Sequence, residues 1–200
     1  MITTLAHLTR LHLWKIGHAY FDGDKGFKQS DQDGAYWFFR AALLGQPQAQ
    51  FQLGRLYSKG TGVEENVQEA YKWYNKSANA GYAPAQHNVA VYLMEGKGVS
   101  KNTTEGADWF RRAATQNHKR SQRSLAGVYF LGDGVEQNLT YAYMWGLIYA
   151  QDDLEGESQA MLDLFAKHMS KKEIEDAYKK AVFCLQNTLA KCELNNAKFR

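Results

Sequence analysis

The sequence predicts an all-α protein built from repeated helix-turn-helix units, and three observations support this class. Only two prolines occur in 200 residues, so long helices can run without interruption. Apolar and polar residues nowhere alternate over a sustained stretch, as a half-buried strand would require. The pattern instead repeats every 36 residues, and a fixed period of this length is typical of solenoids. The repeat is clearest in the tryptophans Trp37, Trp73, Trp109 and Trp145.

Composition indicates a folded chain whose charge selects no particular partner. Hydrophobic residues make up 44% and aromatic residues 14%, which is too much apolar surface for a disordered segment. The net charge is only +3, so the sequence does not favour a nucleic-acid-binding protein. The uncharged stretch at residues 137–151 is shorter than the roughly 18 residues that a membrane-spanning helix needs. We therefore expect neither nucleic-acid binding nor membrane insertion.

The N-terminus and the cysteines bear on the cellular compartment. The first ten residues contain neither a basic leader with an apolar segment nor a small-residue cleavage site, so a cytoplasmic location is expected. A chain from which a leader had been removed would look the same, and a periplasmic location stays open. Cys184 and Cys192 are too few for a disulfide framework, and on one helix they would stand about 12 Å apart. We therefore expect two reduced cysteines that serve packing.

The period divides the chain into four repeats, residues 13–48, 49–84, 85–120 and 121–156. Each contains a first helix, a turn and a second helix. In the last three repeats the turn is Gly-x-Gly-Val, because two glycines around one residue permit the positive φ that ends a helix. In the first repeat Asp24 replaces the first of these glycines and Phe27 replaces the valine. The second helices are predicted to begin at good N-cap residues, namely Ser30, Asn66, Asn102 and Asn138.

In the first helices, counting 100° per residue places one half of each helix against the core. This core half is predicted to contain Ala49, Leu53, Gly54, Leu56 and Tyr57 in the second repeat. In the third repeat it contains Ala85, Val89, Ala90, Tyr92 and Leu93, and in the fourth Leu125, Ala126, Val128 and Tyr129.

Residues 49–78 contain the motif Ala-x3-Leu-Gly-x2-Tyr-x2-Gly-x-Gly-Val, followed by a capped helix with Trp-Tyr-x3-Ala. With the next residues up to Gly81, this pattern resembles the Sel1-like repeat. The tetratricopeptide repeat is similar in shape, but its period is about 34 residues and it lacks the Gly-x-Gly-Val turn. The resemblance covers about residues 13–156. It implies a right-handed superhelix whose concave face is lined by the first helices.

Two segments flank the repeats. Residues 1–12 are predicted to form an N-terminal cap or the remainder of a truncated repeat. Residues 157–200 are predicted to form C-terminal capping helices that seal the fourth repeat. The first of these helices is expected to carry an apolar stripe of Met161, Leu164, Phe165 and Met169. A capping box of Ser170 and Glu173 begins the last helix, whose expected stripe is Ile174, Tyr178, Ala181, Leu185, Leu189 and Cys192.

Motifs that carry chemistry are absent from the sequence. It contains no Gly-x-Ser-x-Gly, Ser-x-x-Lys, Gly-x4-Gly-Lys-Ser/Thr or His-Glu-x-x-His. Some Sel1-like proteins have been linked with β-lactam hydrolysis, and the missing Ser-x-x-Lys argues against that activity here. His7, His12 and His18 do not align on one helical face, so a metal site is not predicted. We predict no catalytic residues, no cofactor and no enzyme activity.

Positions that vary on this constant frame are the better candidates for a binding site. On each first helix they lie away from the core, on the side that the resemblance assigns to the concave face. Exposed apolar side chains among cations are typical of protein-binding surfaces. The alternative is a set of scattered surface residues that contact nothing. The predicted protein-binding residues are Lys15, Phe51, Gln52, Arg55, Lys59, His87, Asn88, Met94, Arg123 and Phe130.

A second candidate site is the stretch without acidic residues from Trp109 to Gly132. Its cations would form a positive patch that attracts an acidic protein partner. The alternative is an ordinary solvated surface, partly neutralised by the acidic residues that follow at Asp152, Asp153, Glu155 and Glu157. The cations of this basic patch are Arg111, Arg112, Lys119 and Arg120, followed by Arg123.

We therefore predict a non-catalytic scaffold or adaptor that binds a protein or peptide in its concave groove. A narrower alternative, suggested by the resemblance, is a dedicated inhibitor, immunity protein or regulatory partner of one protein. A hydrolase acting on cell-wall or β-lactam substrates is the alternative from another class. The sequence leaves the partner and the oligomeric state open.

Overall fold

This computed structural model describes residues 2–24, 26–151, 156–189 and 192, with side chains from residue 11 onward except that of Glu157. These residues form ten α-helices and no strands, and the chain divides into two compact units, residues 1–101 and 102–200. The first unit contains α1 (Ile2–Asp22), α2 (Asp31–Leu43), α3 (Pro47–Lys59), α4 (Val67–Asn79) and α5 (Ala83–Glu95). The second contains α6 (Thr103–Thr115), α7 (Lys119–Leu131), α8 (Leu139–Ala150), α9 (Glu157–Ala166) and α10 (Lys171–Gln186).

Within each unit, helices that follow one another in sequence pack together. In the first unit α2 contacts α1 and α3, and α4 contacts α3 and α5. In the second unit α7 contacts α6 and α8, and α8 also contacts both α9 and α10. The fold class is therefore an all-α repeat solenoid, as the sequence predicts. Across residues 2–24, 26–151 and 156–189, the helices lack the combination of length and apolar character that a bilayer span requires.

The turns and caps confirm the predicted repeat. Gly60 and Gly62 both have positive φ, at 67° and 68°, as do the matching glycines of the next two turns. The first helix ends at the first of these glycines, and the second helix begins after a capping side chain. The Asn66 side chain, for example, accepts a hydrogen bond from the backbone N–H of Glu69 at 3.0 Å. Ser30, Asn102 and Asn138 cap their helices in the same way.

The second turn glycine also permits a close approach between backbones. A Cβ atom on Gly62 would stand 2.2 Å from the carbonyl oxygen of Asp31, at the start of α2. The equivalent distances are 2.6 Å from Gly98 to Val67 and 2.2 Å from Gly134 to Thr103. Only glycine fits at these contacts, which lock each turn against the preceding second helix.

The core follows the predicted halves of the first helices. All predicted core residues of the second, third and fourth repeats are buried except Tyr57, which is half-buried. Trp73, Trp109 and Trp145 are buried, whereas Trp37 is only half-buried.

A repeated buried glutamine is a feature that the sequence reasoning missed. The side-chain amides of Gln50, Gln86 and Gln122 donate to the carbonyl oxygens of Ala42, Ala78 and Ala114, at 3.2, 3.3 and 3.3 Å. Each bond ties the start of a first helix to the end of the preceding second helix. A polar residue that recurs every 36 positions inside the core half was the signal that could have revealed it.

The two C-terminal helices differ in part from the prediction. In α9, Leu162 and Phe165 are buried, while Leu164 is 45% exposed, and Met169 lies beyond the helix end at Ala166. The capping box of Ser170 and Glu173 is confirmed. The expected stripe of α10 is wrong in part: Ala181 is buried as expected, but Tyr178 and Leu185 are exposed, and the helix instead buries Ala177 and Cys184.

The prediction of two reduced cysteines is also wrong. Helix α10 ends at Gln186, so Cys192 lies beyond the helix and not two turns further along it. The Cα atoms of Cys184 and Cys192 lie 5.2 Å apart. The two residues form a disulfide.

Candidate functional site

In the first unit, the predicted protein-binding residues lie on α1, α3 and α5. Lys15, Arg55 and Lys59 are exposed, while the others are half-buried. Three of them, Phe51, Arg55 and Asn88, are brought together around one buried side chain, Tyr74 of α4. The half-buried residues are Phe51, Gln52, His87, Asn88 and Met94.

Tyr74 belongs to a network that we call the hydroxyl cluster: Ser58, Tyr74, Asn88 and Tyr92. The Tyr92 hydroxyl donates to Ser58 Oγ at 2.8 Å, and Ser58 and Asn88 both hydrogen-bond the Tyr74 hydroxyl. The Tyr74 and Tyr92 rings meet edge to face, with centroids 5.4 Å apart. Both rings are buried, whereas Ser58 and Asn88 are half-buried. The cluster thus links the core to the surface.

The local sequence explains why the Tyr74 ring fits at this place. Gly54 of α3 faces it, and a Cβ at Gly54 would stand 2.6 Å from the ring. The Phe51 ring lies on another side of Tyr74, with centroids 5.7 Å apart, and also contacts Tyr82 at 5.4 Å. Phe51 therefore has a fixed position beside the hydroxyl cluster.

The hydroxyl cluster is confined to this junction of the repeat series. One repeat earlier, Phe38 and Leu56 occupy the positions of Tyr74 and Tyr92; one repeat later, Phe110 and Val128 occupy them. Sequence reasoning assigned Tyr92 to the core and did not single out Tyr74. The signal was present, since two hydroxyl groups appear where neighbouring repeats carry only apolar side chains.

Burial raises the pKa of one member of the cluster, Tyr74. It raises the pKa of Tyr74 to about 12, with a further contribution from Tyr92, against the opposing effects of Asn88, Arg55 and Ser58. Tyr74 therefore stays protonated and neutral under ordinary conditions. The exposed Arg55 guanidinium acts on Tyr74 and donates to Gln52 Oε1 at 3.1 Å. Lys97 lies beside Tyr92, with its Nζ 5.2 Å from the ring centroid. This side of the unit presents cations, an aromatic ring and an amide.

In the second unit, one cation of the basic patch is neutralised by a neighbouring acid. Arg111 forms an ion pair with Asp108, the residue just before the acid-free stretch, and also donates to Tyr129 Oη at 3.2 Å. Arg112 lies over the Trp109 ring, with its guanidinium carbon 4.5 Å from the centroid. Lys119 is half-buried, and Arg112, Arg120 and Arg123 are exposed.

The remaining predicted residue of this unit is engaged in packing. The Phe130 ring stacks on Phe165 of α9, with centroids 4.6 Å apart, and lies near His168. The acidic residues Asp152, Asp153 and Glu155, expected to oppose the patch, lie outside the described residues, as does the side chain of Glu157.

The second unit also contains a cavity that is lined by none of the predicted protein-binding or basic-patch residues. It has a volume of about 600 Å³ and lies between the start of α8 and the second half of α10. Tyr141, Met144, Lys180, Phe183 and the Cys184–Cys192 disulfide form part of its wall. Within the described residues, no group of three or more His, Cys, Asp or Glu side chains is placed to hold a metal ion.

The fold is that of an all-α repeat protein, and its first helices carry exposed cations. Comparison with known proteins identifies the family. The Sel1 repeat model matches residues 13–46, 47–82, 83–118 and 119–147, so the chain belongs to the Sel1 repeat family. Proteins of this family are generally non-catalytic scaffolds for protein interactions.

The solved structures that are similar to the chain include a second Sel1 repeat protein and a bacterial antigen. A Sel1 repeat protein from Oxalobacter formigenes is 31% identical, with a TM-score of 0.74; the match covers 86% of this chain and 72% of that one. A protective antigen present in uropathogenic Escherichia coli strains, which displays an SLR fold, is 25% identical with a TM-score of 0.81. That match covers 96% of this chain but only 41% of the antigen. The comparison with curated proteins finds no match.

Proposed function

We propose that this chain is a non-catalytic scaffold that binds a segment of another protein on the α3–α5 face of residues 1–101. The hydroxyl cluster is the observation that supports this most strongly. Buried hydroxyl groups add nothing to packing that apolar side chains would not supply, and they need hydrogen-bond partners. Their presence at one junction only suggests a local role, which is to hold Ser58 and Asn88 in place at the surface.

Each surface residue suits a different part of a peptide. Phe51 offers an apolar contact, the Asn88 amide can hydrogen-bond a peptide backbone, and the Arg55 guanidinium can bind a carboxylate. Lys59, exposed one turn further along α3, adds positive charge. The proposed partner segment therefore carries an apolar side chain and an acidic one. In the second unit, the exposed Arg112, Arg120 and Arg123 are proposed to attract acidic partners by charge.

The test is recovery of the partner from the source cell with a tagged chain. Partners of the wild type are identified by mass spectrometry, and their recovery is then compared with that by Phe51→Ala/Arg55→Ala. We expect recovery to fall by about tenfold or more, as for loss of binding hot spots. Lys72→Ala, which removes an exposed cation from α4, is the matched control and is expected to keep full recovery.

A second variant tests the role of the hydroxyl cluster. Tyr92→Phe keeps the ring but removes the hydroxyl group that donates to Ser58, and we expect weaker binding with an unchanged helical circular dichroism spectrum. Equal recovery by wild type and Phe51→Ala/Arg55→Ala, with both folded, would contradict the proposed surface. Recovery of one partner supports a dedicated inhibitor or regulator, and recovery of several supports a general adaptor.

A further inference from the structure

The two cysteines of the chain lie where the last helix ends. Cys184 belongs to the last turn of α10, and Cys192 follows the end of the helix at Gln186. The hydrogen bonds that the structure shows for residues 187–189 and 192 join residues only three or four positions apart. Among the described bonds, the disulfide is therefore the one that ties the segment after α10 back to the helix.

The two sulfur atoms of this disulfide have different surroundings. Cys184 is 2% exposed, and its Sγ lies 4.0 Å from the Met144 sulfur of α8. Cys192 is 7% exposed, and its backbone N–H donates to the carbonyl oxygen of Leu189 at 3.1 Å. Cys184 is thus part of the contact between α8 and α10, whereas Cys192 is the more accessible of the two.

Both cysteines line the cavity between α8 and α10. Its volume of about 600 Å³ falls in the range of small-molecule sites, about 300–1,000 Å³. A disulfide is reduced by a thiolate that reaches one of its sulfur atoms, so access decides whether reduction can take place in the folded protein. The cavity gives a thiol of small-molecule size that access.

The cavity also places a cation beside the disulfide. Lys180 lines the cavity and precedes Cys184 by four residues, so the two side chains lie on one side of α10. The Lys180 Nζ stands 5.4 Å from the ring centroid of Tyr141, on the α8 wall. A neighbouring cation stabilises a thiolate and so favours its departure from a disulfide.

The other charged residues of the cavity lie further from Cys184 along α10. Lys179 is bound to Glu175, with its Nζ 2.7 Å from Oε1. Asp176 precedes Cys184 by eight residues, which is about 12 Å along the helix axis. Lys180 is therefore the charged residue of α10 that is nearest to Cys184.

We propose that the Cys184–Cys192 disulfide is a site of thiol–disulfide exchange with small thiols that enter this cavity. The thiolate of the small molecule attacks Cys192 Sγ, the more accessible sulfur. The bond between the two cysteines breaks, a mixed disulfide forms on Cys192, and Cys184 leaves as a thiolate beside Lys180, where it takes up the proton that the thiol lost. A second thiol molecule attacks the mixed disulfide, so two thiols become one disulfide and both cysteines are reduced.

Exchange releases the segment after α10 but not the helix. Ala177 and Ala181 are buried and keep α10 packed on α8, and Cys184 keeps its place beside Met144. Cys192 loses its covalent link, although it forms part of the cavity wall. The redox state of the disulfide therefore controls how far the cavity is open. This site belongs to residues 102–200, so it goes beyond the binding proposed for the α3–α5 face and is tested without a protein partner.

Reaction of the oxidised full chain with millimolar reduced glutathione tests the proposal. Samples are quenched by alkylation and mapped by mass spectrometry. We expect glutathione to appear first on Cys192 and two free thiols to appear later. The rate is expected to change less than about twofold in urea below the unfolding transition, because the folded protein reacts.

Three outcomes of this experiment overturn the proposal. The first is a disulfide that does not react while the protein is folded. The second is a mixed disulfide on Cys184 in place of Cys192. The third is a rate that rises about fivefold or more with each molar step of urea, since reduction would then require global unfolding.

A charge variant tests the role of the cavity wall. Lys180→Gln removes the cation beside Cys184, and we expect formation of the mixed disulfide to slow by about threefold or more. Lys172→Gln, an exposed position of the same helix outside the described cavity wall, is the matched control and is expected to react like the wild type. Equal rates for the two variants, with both folded by circular dichroism, contradict the departure of Cys184 beside Lys180.

Hydrogen exchange of the oxidised and reduced chains follows the released segment. We expect the backbone amides of residues 187–189 to exchange at least about tenfold faster after reduction, with protection of α8 and of the first half of α10 unchanged. The Cys184→Ser/Cys192→Ser double variant is the control, and its exchange is expected to be the same with and without glutathione. Equal exchange in the oxidised and reduced wild type overturns the redox control of the cavity.

Discussion

Different elements pack against the start of the second helix in the inner repeats and in the last repeat. In the first unit, the turn glycine Gly62 lies directly against the backbone of Asp31 at the start of α2. In the second unit, Gly134 lies in the same way against Thr103 at the start of α6. At the start of α8 the neighbouring element is α10, and a cavity of about 600 Å³ separates part of the two helices. The turn glycines therefore bring backbone directly against backbone, whereas α10 leaves a cavity where it packs on the start of α8.

The second glycine of each turn has a positive φ and in the later repeats also lies against a neighbouring backbone. The first repeat has the positive φ without the close contact. Gly26 stands at the same repeat position as Gly62 and also has a positive φ, of 84°. No atom of the described residues lies within 4 Å of the place where its Cβ would stand. The turn therefore requires positive φ in every repeat. The close contact occurs only where the second helix of a preceding repeat lies beside the turn.

The largest effect is expected from substitution at a junction glycine. Gly62→Ala places a Cβ 2.2 Å from the Asp31 oxygen, so the turn must move away from α2. We expect the free energy of unfolding to fall by about 3 kcal/mol or more. Gly26→Ala suffers only the backbone strain of positive φ, about 1 kcal/mol.

Chemical denaturation of the two variants measures the difference. A larger loss for Gly62→Ala supports separate roles for conformation and close approach. If both variants lose the same stability, the contact with Asp31 contributes nothing and the comparison fails.

A smaller effect is expected where α10 replaces a repeat. Ala177 is fully buried in α10, and it is not among the residues that line the cavity. Ala177→Leu therefore adds volume at a packed site, and we expect it to lower the free energy of unfolding by about 2 kcal/mol. Val182→Leu, at a position 48% exposed on the same helix, is the control and is expected to change stability little. Equal stability of the two variants would show that α10 is not packed on α8 as described.

Features that occur in several repeats could be predicted from the sequence, and features that occur once could not. The Gly-x-Gly-Val turn, the N-caps and the core half of the first helices each occur several times in register, so chance agreement could be set aside. Helix α10 occurs once and carries two apolar stripes, and the sequence offers no copy to show which one faces α8. For that reason the sequence predicts Tyr178 and Leu185 in the buried stripe, where the structure has Ala177 and Cys184.

The site was harder to predict than the fold, and the reasons are physical. Phe51, Arg55 and Asn88 were predicted because they vary on a constant frame. Tyr74 was missed, because a tyrosine at an aromatic repeat position reads as core until its hydroxyl partners are known. The Cys184–Cys192 disulfide depends on where α10 ends, and no glycine or proline in the sequence marks that end.

The smallest expected effect concerns the residue before each first helix. Gln46 and Tyr82 hold this position in the first unit, whereas His118 holds it in the second. Burial lowers the pKa of His118 below its usual 6.5, and the charge of Arg120 lowers it further. In the unfolded chain His118 therefore takes up a proton at a higher pH than it does in the folded protein.

The sign of the pH dependence follows from that difference in proton uptake. The His118 contribution to stability is complete above about pH 6.5 and is lost as the pH falls toward the pKa of the folded state. We expect the free energy of unfolding, measured by urea denaturation from about pH 7 to about pH 5, to fall less steeply for His118→Gln than for the wild type. Glutamine is the residue that the first unit already uses at Gln46, so the substitution suits the site. An unchanged slope would show that folding does not lower the pKa of His118.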